Sequence, residues 1–435
     1  MGNKDPGISA DVAPLAVIAR SSDDSKHSRD PDGVPAFLGN DPLFREKLPV
    51  ARPRVPLLDL ETAEQVARML RSGVLTKGSY LEELEQRLAA HLGTAHAVAV
   101  SSGTLGLLLT YHALGLSGEV IVPSFTFMAT VHPLVWVGAE PRFVDIDPET
   151  WCVDPTEVEA AISDRTTAIV AVHTFGNPAR VDDLERIAKR RGIALVYDSA
   201  HAFGSRLNGQ PIGGFGHAEV FSLSPTKLLI AGEGGVVATN DAGLAEHVRS
   251  GREYGTQGGQ ESHFPGVNAR LPEFNAMLAL KSLDLLEESA VHRNRMAAAF
   301  KSELSRLSGI SFQKVDTANR CSYKDLGIVV QPREFGLSRD QLAAALRAEN
   351  IETRRYFDPP VHTHQAYQNL GLGYSGFLPV TDEISSKILT LPLWSDMPLE
   401  TVALVCRAIW RIHRHAPRIA SRLTHVGGRA QENEQ

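Results

Sequence analysis

The 435-residue sequence has only three cysteines, Cys152, Cys321 and Cys406, far apart and in none of the paired spacings that ligate zinc. That argues against a disulfide framework and a structural zinc site, and the thiols are expected to be reduced, as in a cytoplasmic protein. Positive charge is also scarce: 44 Lys and Arg against 51 Asp and Glu leave a formal net charge of −7. A nucleic-acid-binding surface is therefore not expected, and small molecules are the expected partners. Long uncharged runs are rare. One of them, "AVAVSSGTLGLLLTYHALGLSG" from Ala97 to Gly118, has the length of a membrane span. Its central Ser-Ser-Gly-Thr and its histidine instead read as a buried strand, a turn and a buried helix, so no membrane association is expected. The early apolar piece "ADVAPLAVIA" contains a proline and follows Lys4 and Asp5, a layout unlike a signal peptide, and export is not expected.

What is present is a globular composition, 43% hydrophobic and 22% charged, in a chain long enough for two domains. Residues 1–50, rich in Ser, Asp, Arg, Gly and Pro, read as a mobile arm. Order is expected from "PLLDLETAEQVARMLRSG", whose apolar residues recur at helical spacing up to Gly73. Between Ala97 and Asn240, short β-rich runs ("AVAV", "EVIVP", "TAIVAV", "IALVYD", "EVFSL", "GVVATN") alternate with helical ones. "VDDLERIAKRRG" is one of these, an amphipathic helix closed by glycine. Such alternation predicts an α/β domain over residues 51–295, with a mostly parallel, buried sheet and helices on both faces. "YKDLGIVVQP", "RDQLAAALRAENIETRRY" and "PLETVALVCRAIWRIHRH" predict a smaller C-terminal α+β domain over 296–420, followed by a mobile tail, 421–435.

Four segments sit where predicted strands end and helices begin, the edge at which open α/β sheets bind ligands. "SSGT", Ser101 to Thr104, places Gly103 and Thr104 at a helix start, as a phosphate cradle or a plain capped turn. "VYDSAHAFG" ends a buried strand on Asp198, whose carboxylate needs either backbone donors or a cation such as a pyridinium nitrogen. Asp198 and His201 also resemble metal ligands, but no second pair of matching spacing accompanies them, and no metal is expected. "SLSPTKLLIAGEGG" brings Ser222 and Lys227 into a glycine-rich loop; in a dry site this lysine would become a nucleophile toward an aldehyde, and in a wet one merely a solvated side chain. In "PSFTFMAT", Phe127 either stacks on a planar ring or packs in the core. Together these supply a phosphate cradle, an aromatic face, an aspartate and a lysine, the four needs of pyridoxal 5′-phosphate.

At this point the sequence resembles the DegT/DnrJ/EryC1/StrS sugar aminotransferases, which are fold-type I pyridoxal phosphate enzymes. The matching pieces run from "VLTKGSYLEELEQRLAAHLGTAHAVAVSSGT" through "VIVPSFTFMAT", "PRFVDIDPET", "HTFGNP", "DSAHAFG" and "FSLSPTKLLIAGEGGVVATND" to "GVNARLPEFNA". The resemblance implies that Lys227 bonds to the cofactor aldehyde and then shuttles the proton between Cα and C4′. It implies that Asp198 keeps the pyridine nitrogen protonated, that Gly103, Thr104 and Ser222 contact phosphate, that Phe127 stacks on the ring, and that His201 sits beside the cofactor oxygen. "GVNAR" looks like the segment that enters the neighbouring subunit's site, making Asn268 and Arg270 contributors across a homodimer, and His362 in "PPVHTHQAY" resembles a substrate-side histidine. Relatives that dehydrate sugars carry histidine where Lys227 stands, so the lysine favours transamination.

The expected reaction is a ping-pong transfer of an amino group from an amino acid, L-glutamate in the first instance, to the keto group of a nucleotide-linked deoxysugar. Three alternatives stay open on sequence: a transaminase for a free keto-cyclitol or another natural-product ketone, a different pyridoxal phosphate reaction, and a non-catalytic sensor. For the last, residues 1–50 are too short and too mixed in charge to form a helix-turn-helix domain.

Overall fold

Each of the six β-rich runs forms a strand, and their burial explains why they read as continuous apolar runs rather than alternating ones. The computed structural model describes residues 33–56, 59–370 and 377–423. In chain order the strands are β1 (His96–Val100), β2 (Glu119–Pro123), β3 (Glu140–Val144), β4 (Thr166–Val172), β5 (Ala194–Asp198), β6 (Arg206–Leu207), β7 (Gln210–Pro211), β8 (Ala218–Ser222), β9 (Gly235–Thr239), β10 (Ile310–Phe312), β11 (Leu326–Val330) and β12 (Ile388–Leu391). The main sheet has seven strands in the order β1-β9-β8-β5-β4-β2-β3. The pairs β5–β8, β4–β5, β2–β4 and β2–β3 are parallel, whereas β9 runs antiparallel to both its neighbours. As a result β1, β2, β4, β5 and β8 all end on one edge of the sheet, and β9 starts there.

Helices cover both faces. Gly103–Ala113 and Ala242–Gly251 pack on the face carrying Val98, Val120, Val170 and Val220, while Ser79–Leu92 and Glu273–Asp284 cover the opposite face near β1 and β9. The predicted "VDDLERIAKRRG" helix spans Val181–Arg191; Asp182 and Asp183 lie at its positive end, Lys189 to Arg191 at its negative end, and Gly192 closes it at φ 64°. The Ala97–Gly118 stretch is strand, turn and helix, and among the described residues no helix is long and apolar enough to cross a membrane.

A second sheet, β10-β11-β12, is antiparallel and packs with Leu286–Leu304, Arg339–Ala348 and Leu399–Arg414 around a separate core. The boundary expected at 295/296 falls inside the Leu286–Leu304 helix. Leu286 and Ala290 belong to the sheet core of the large domain, while Met296, Phe300 and Leu304 belong to the small one, so one helix serves both. Between them Arg293, 1% exposed, donates to the Tyr323 and Lys324 carbonyls and to Ser395 Oγ.

The arm expected over 1–50 needs correction over its last part, and residues 1–32 lie outside the described residues. Leu43, Leu48 and Val50 are buried in the C-terminal domain, and Leu48 exchanges backbone hydrogen bonds with Asn350 and Glu352. Glu349, fully buried, accepts the backbone N–H groups of Ala36 and Leu43 at 2.9 Å each and pairs with Arg411 at 2.8 Å. Average polarity hid three apolar anchors and a partner some 300 residues away. The expected tail also begins too early, because residues 416–423 are helical and Leu423 packs against the small-domain core; residues 424–435 lie outside the described residues.

Candidate active site

The edge on which the parallel strands end carries a cavity of about 280 Å³, near the lower end of small-molecule sites, which run from roughly 300 to 1,000 Å³. Its lining brings together Gly103, Thr104, Phe127, Asp198, His201, Ser222 and Lys227. These seven come from the four separate segments of the expected cofactor set.

Backbone contact builds the cradle at one end. Ser102 caps the Gly103–Ala113 helix, its Oγ accepting from Leu105 N at 3.2 Å, so the next N–H groups face the cavity end. β9 crosses directly beneath: a Cβ on Gly235 would lie 2.5 Å from Gly103 N, and one on Gly103 would meet Ser222 Cβ at 3.3 Å. Gly235, the last glycine of "GEGG", therefore allows β9 to pass tightly under the helix start, leaving a concave, donor-rich end suited to a phosphate.

Asp198 closes the floor at the end of β5. It is 6% exposed, and its carboxylate accepts from Thr130 Oγ1 at 2.7 Å and from Ala200 N at 3.0 Å. Burial pushes this carboxyl above the ordinary value, whereas Thr130, Ala200 and the charges of Lys227 and His173 pull it down. A cation on the cavity side would complete its environment.

Lys227 lies opposite, in the loop after β8. Burial, aided by the Lys324 charge and opposed by Asp325, Asp198 and Glu233, brings its amine down to about 7. At neutral pH much of it is then unprotonated, which an aldehyde-directed nucleophile requires. His201 also lines the cavity, and its Nδ1 has no hydrogen-bond partner among the described residues. Burial, with the charges of Lys227 and Lys324, holds this ring well below the usual imidazole range, so it is neutral. Its plane is parallel to Phe357 within 5° at 6.3 Å and close to Phe175 at 6.2 Å. Phe127 is 46% exposed, and its ring is left as an open face of the cavity.

Three expected site residues lie elsewhere. Asn268 pairs with Glu253 in an isolated bridge and accepts from Arg270 Nε at 3.2 Å; Arg270 also approaches Glu253 and the Tyr254 ring, and neither lines this cavity. His362 does not line the cavity: it is 8% exposed, with Nδ1 2.6 Å from Ser124 Oγ and Nε2 3.5 Å from Asp382. It joins the β2 end to the C-terminal domain instead of facing the cavity, because the Ser124 hydroxyl both accepts from its backbone N–H and meets its ring.

Other lining residues were missed. Lys324, 3% exposed and paired with Asp325 at 2.9 Å, comes from the segment just before β11, and Tyr356 and Phe357 also come from the small domain. "YKDLGIVVQP" signalled only a strand, and nothing local marks its first residues as facing another domain. Thr130 sat in a motif already singled out, where its hydroxyl went unread.

The orphaned His201 nitrogen, the glycine-built cradle and the Lys227–Asp198 pair fit pyridoxal phosphate. Among the described residues no group of three or more His, Cys, Asp or Glu is placed to hold a metal ion.

The chain as a whole is similar to known proteins. S. venezuelae DesV, solved in complex with a ketimine intermediate, is 33% identical, with a TM-score of 0.75 over 84% of this chain and 99% of its own. DesI, solved in the presence of its TDP-sugar product, is 36% identical with a TM-score of 0.81, covering 90% of this chain and 98% of its own. The erythromycin biosynthesis sensory transduction protein EryC1 of Saccharopolyspora erythraea is 36% identical over 358 residues, 80% of this chain and 96% of EryC1. With residues 56–410 matching the family as a whole, the chain belongs to the DegT/DnrJ/EryC1/StrS aminotransferase family, pyridoxal phosphate enzymes of fold-type I.

Proposed function

We propose that this enzyme transfers the amino group of L-glutamate to the keto group of a nucleotide-linked deoxysugar in two half-reactions. The observation that carries the reading is the convergence of Lys227 and Asp198 on one cavity, with the lysine amine brought down to about 7. The TDP-sugar product held by DesI supports the acceptor class.

Gly103, Thr104 and Ser222 would hold the cofactor phosphate, Phe127 its ring face and Asp198 its ring nitrogen. When bound, pyridoxal phosphate supplies an aldehyde that carries nitrogen between substrates and a ring that accepts the electrons of the broken Cα–H bond. The chain supplies the rest. Asp198, held by Thr130 and Ala200, keeps a negative charge where a protonated ring nitrogen needs one. Lys227, unprotonated in its dry surroundings, takes the proton from Cα and returns it on the other side of the transfer. His201 remains neutral and offers a ring N–H to an oxygen.

Asn268 and Arg270 lie outside their own subunit's cavity, and in this reading they complete the site of a second copy in a homodimer.

The test is the visible spectrum of the protein with pyridoxal phosphate, before and after L-glutamate, beside Lys227→Ala. The expected result is a visible band that glutamate converts to the shorter-wavelength amine form of the cofactor, with equimolar 2-oxoglutarate, and no such band in the variant. A wild-type protein that develops no band overturns the lysine assignment. A band indifferent to glutamate overturns the donor.

A further inference from the structure

Asp198 lines the cavity, but the strand end that carries it is gripped from behind. Side chains along β5 alternate between the two faces of the sheet, so Tyr197 and Ser199 point away from the face that Asp198 uses. On that rear face they meet Glu219, the register partner of Tyr197 on β8, and His173, the residue after β4. All four are 0% exposed, in a layer otherwise built from side chains such as Ile169, Ala171, Val181 and Leu195.

Glu219 holds these polar groups together. One of its carboxylate oxygens accepts from Ser199 Oγ at 2.6 Å and lies 3.6 Å from His173 Nε2; the other accepts from Gly213 N at 2.8 Å and Phe215 N at 3.1 Å. His173 stacks on Tyr197, with ring centres 4.9 Å apart and planes within 5° of parallel, and its Nδ1 accepts from Ala179 N at 2.9 Å. That bond assigns the ring proton to Nε2, the nitrogen that faces Glu219 and has no hydrogen-bond partner among the described residues. The main chain completes the grip, because His173 N donates to the Asp198 carbonyl at 3.3 Å and Ser199 N to the Val220 carbonyl at 2.8 Å. Asp198 is thus held at its own carbonyl and through the residue on either side.

A buried charged cluster is less stable than an apolar layer of the same volume, and apolar residues fill the neighbouring positions. The exception falls at the strand end that carries Asp198, where direction matters: a charge-assisted hydrogen bond weakens steeply as its angle departs from linear. We propose that Glu219 and His173 are positioning residues for the amino transfer, holding the Asp198 carboxylate in line with the cofactor ring nitrogen through Ser199 and the Asp198 main chain. Neither lines the cavity. The inference rests on the reading that Asp198 meets that nitrogen, and extends it to the layer behind. Lys227, from the loop after β8, and His173 bear electrostatically on Asp198, and Tyr111 faces it from the Gly103–Ala113 helix; Glu219, Glu185 and Asp182 bear on Tyr197.

The experiment is nitrogen-15 magnetic resonance of the protein loaded with ring-labelled pyridoxal phosphate, from about pH 6 to 10, with the cofactor Kd measured alongside. In the wild type the ring nitrogen is expected to stay protonated through neutrality, and in Asp198→Asn to lose its proton. Glu219→Gln removes the charge and sets an amide N–H against groups that need an acceptor. The midpoint for losing the ring proton should then fall by about one pH unit, and the Kd rise roughly tenfold. Ser199→Ala and His173→Phe, which keeps the stack on Tyr197, shift both in the same direction by less. In each, kcat falls while the KM for glutamate holds. Glu349→Gln, at a buried carboxylate of the small domain, lowers the melting temperature without moving the nitrogen signal. If Glu219→Gln and Ser199→Ala melt earlier yet keep the wild-type midpoint, the layer is structural only and the proposal is overturned. If Asp198→Asn keeps the ring nitrogen protonated, the reading of Asp198 fails, and the proposal falls with it. Ser199→Ala, which removes a single hydroxyl, decides the matter where Glu219→Gln does not fold.

Discussion

Thr130 Oγ1 lies 2.7 Å from Asp198 Oδ2, a hydrogen bond between a loop after β2 and the end of β5. Thr130 is itself fixed by Thr126 Oγ1 at 2.7 Å and by the Tyr111 hydroxyl, which donates to its carbonyl at 3.1 Å. The carboxylate proposed to meet the cofactor nitrogen is therefore oriented by a residue that does not line the cavity.

Thr130→Val removes that donor at nearly constant volume. The Asp198 carboxyl then rises further, because burial is opposed by one hydrogen bond fewer. The expected outcome is a pyridoxal phosphate Kd raised by roughly tenfold. Its absorbance and rate profiles should also weaken at a higher pH than in wild type. Equilibrium dialysis and a pH series on the bound chromophore check both.

Lys227 makes capture of the cofactor pH-dependent. With its amine at about 7, the rate of covalent capture should climb through that pH and level off above it. Lys324→Met removes the neighbouring positive charge, lifts the amine back toward its ordinary value and moves the midpoint alkaline. Stopped-flow absorbance across pH 6 to roughly 10 measures it. The same shift has a stability consequence in the cofactor-free protein. The folded state binds fewer protons on Lys227 than the unfolded chain does between about 7 and 10.5, so stability rises with pH through that window. Lys227→Met should flatten this part of the melting profile.

Glu349→Ala should cost about 3–5 kcal/mol, the usual penalty for stripping one member from a buried ion pair. Arg411 loses this carboxylate, and the N–H groups of Ala36 and Leu43 lose their acceptor. Disrupting Arg68–Glu64, an exposed pair at 3.6 Å, should change stability by less than about 0.5 kcal/mol. Thermal melts of the two variants, with limited proteolysis around residues 36–50, provide the comparison.

Two inactive variants should restore each other. If Asn268 serves the neighbouring subunit, a hybrid of Lys227→Ala and Asn268→Ala chains contains one site with both residues intact. Random pairing then returns about a quarter of wild-type activity, the fraction expected for a two-fold symmetric assembly. Activity that stays at the sum of the separate variants would place Asn268 within its own subunit's function. Co-refolding at varied ratios gives the reading.

The sheet was legible because buried parallel strands write themselves as unbroken Val, Ile and Ala runs. β3 was missed as a strand because it lies at the edge, where Glu140 and Arg142 face solvent and Pro141 interrupts the run. The residues that meet at the cavity were legible for a related reason: Gly103, Asp198 and Ser222 stand at a strand end or helix start, Lys227 follows in the loop after β8, and sequence shows those junctions. Lys324, Tyr356 and Phe357 arrive from a different domain, and their distance along the chain from Lys227 left only strand and helix patterns to read. For His362, which only the family resemblance singled out, no local pattern shows that Ser124, 238 residues away, meets its ring.

Lys227 and Asp198 belong to the large domain, but Tyr356, Phe357 and Lys324 close the chamber from the other domain. Asp145, just past β3, ties that domain on by accepting from Val380 N, Thr381 N and Thr381 Oγ1 at the start of a small-domain helix. The colour of a captured cofactor is thus an assembly signal. During refolding it reports the moment the C-terminal domain docks on the sheet, and it lags any probe, such as far-ultraviolet circular dichroism, that follows the formation of either domain alone.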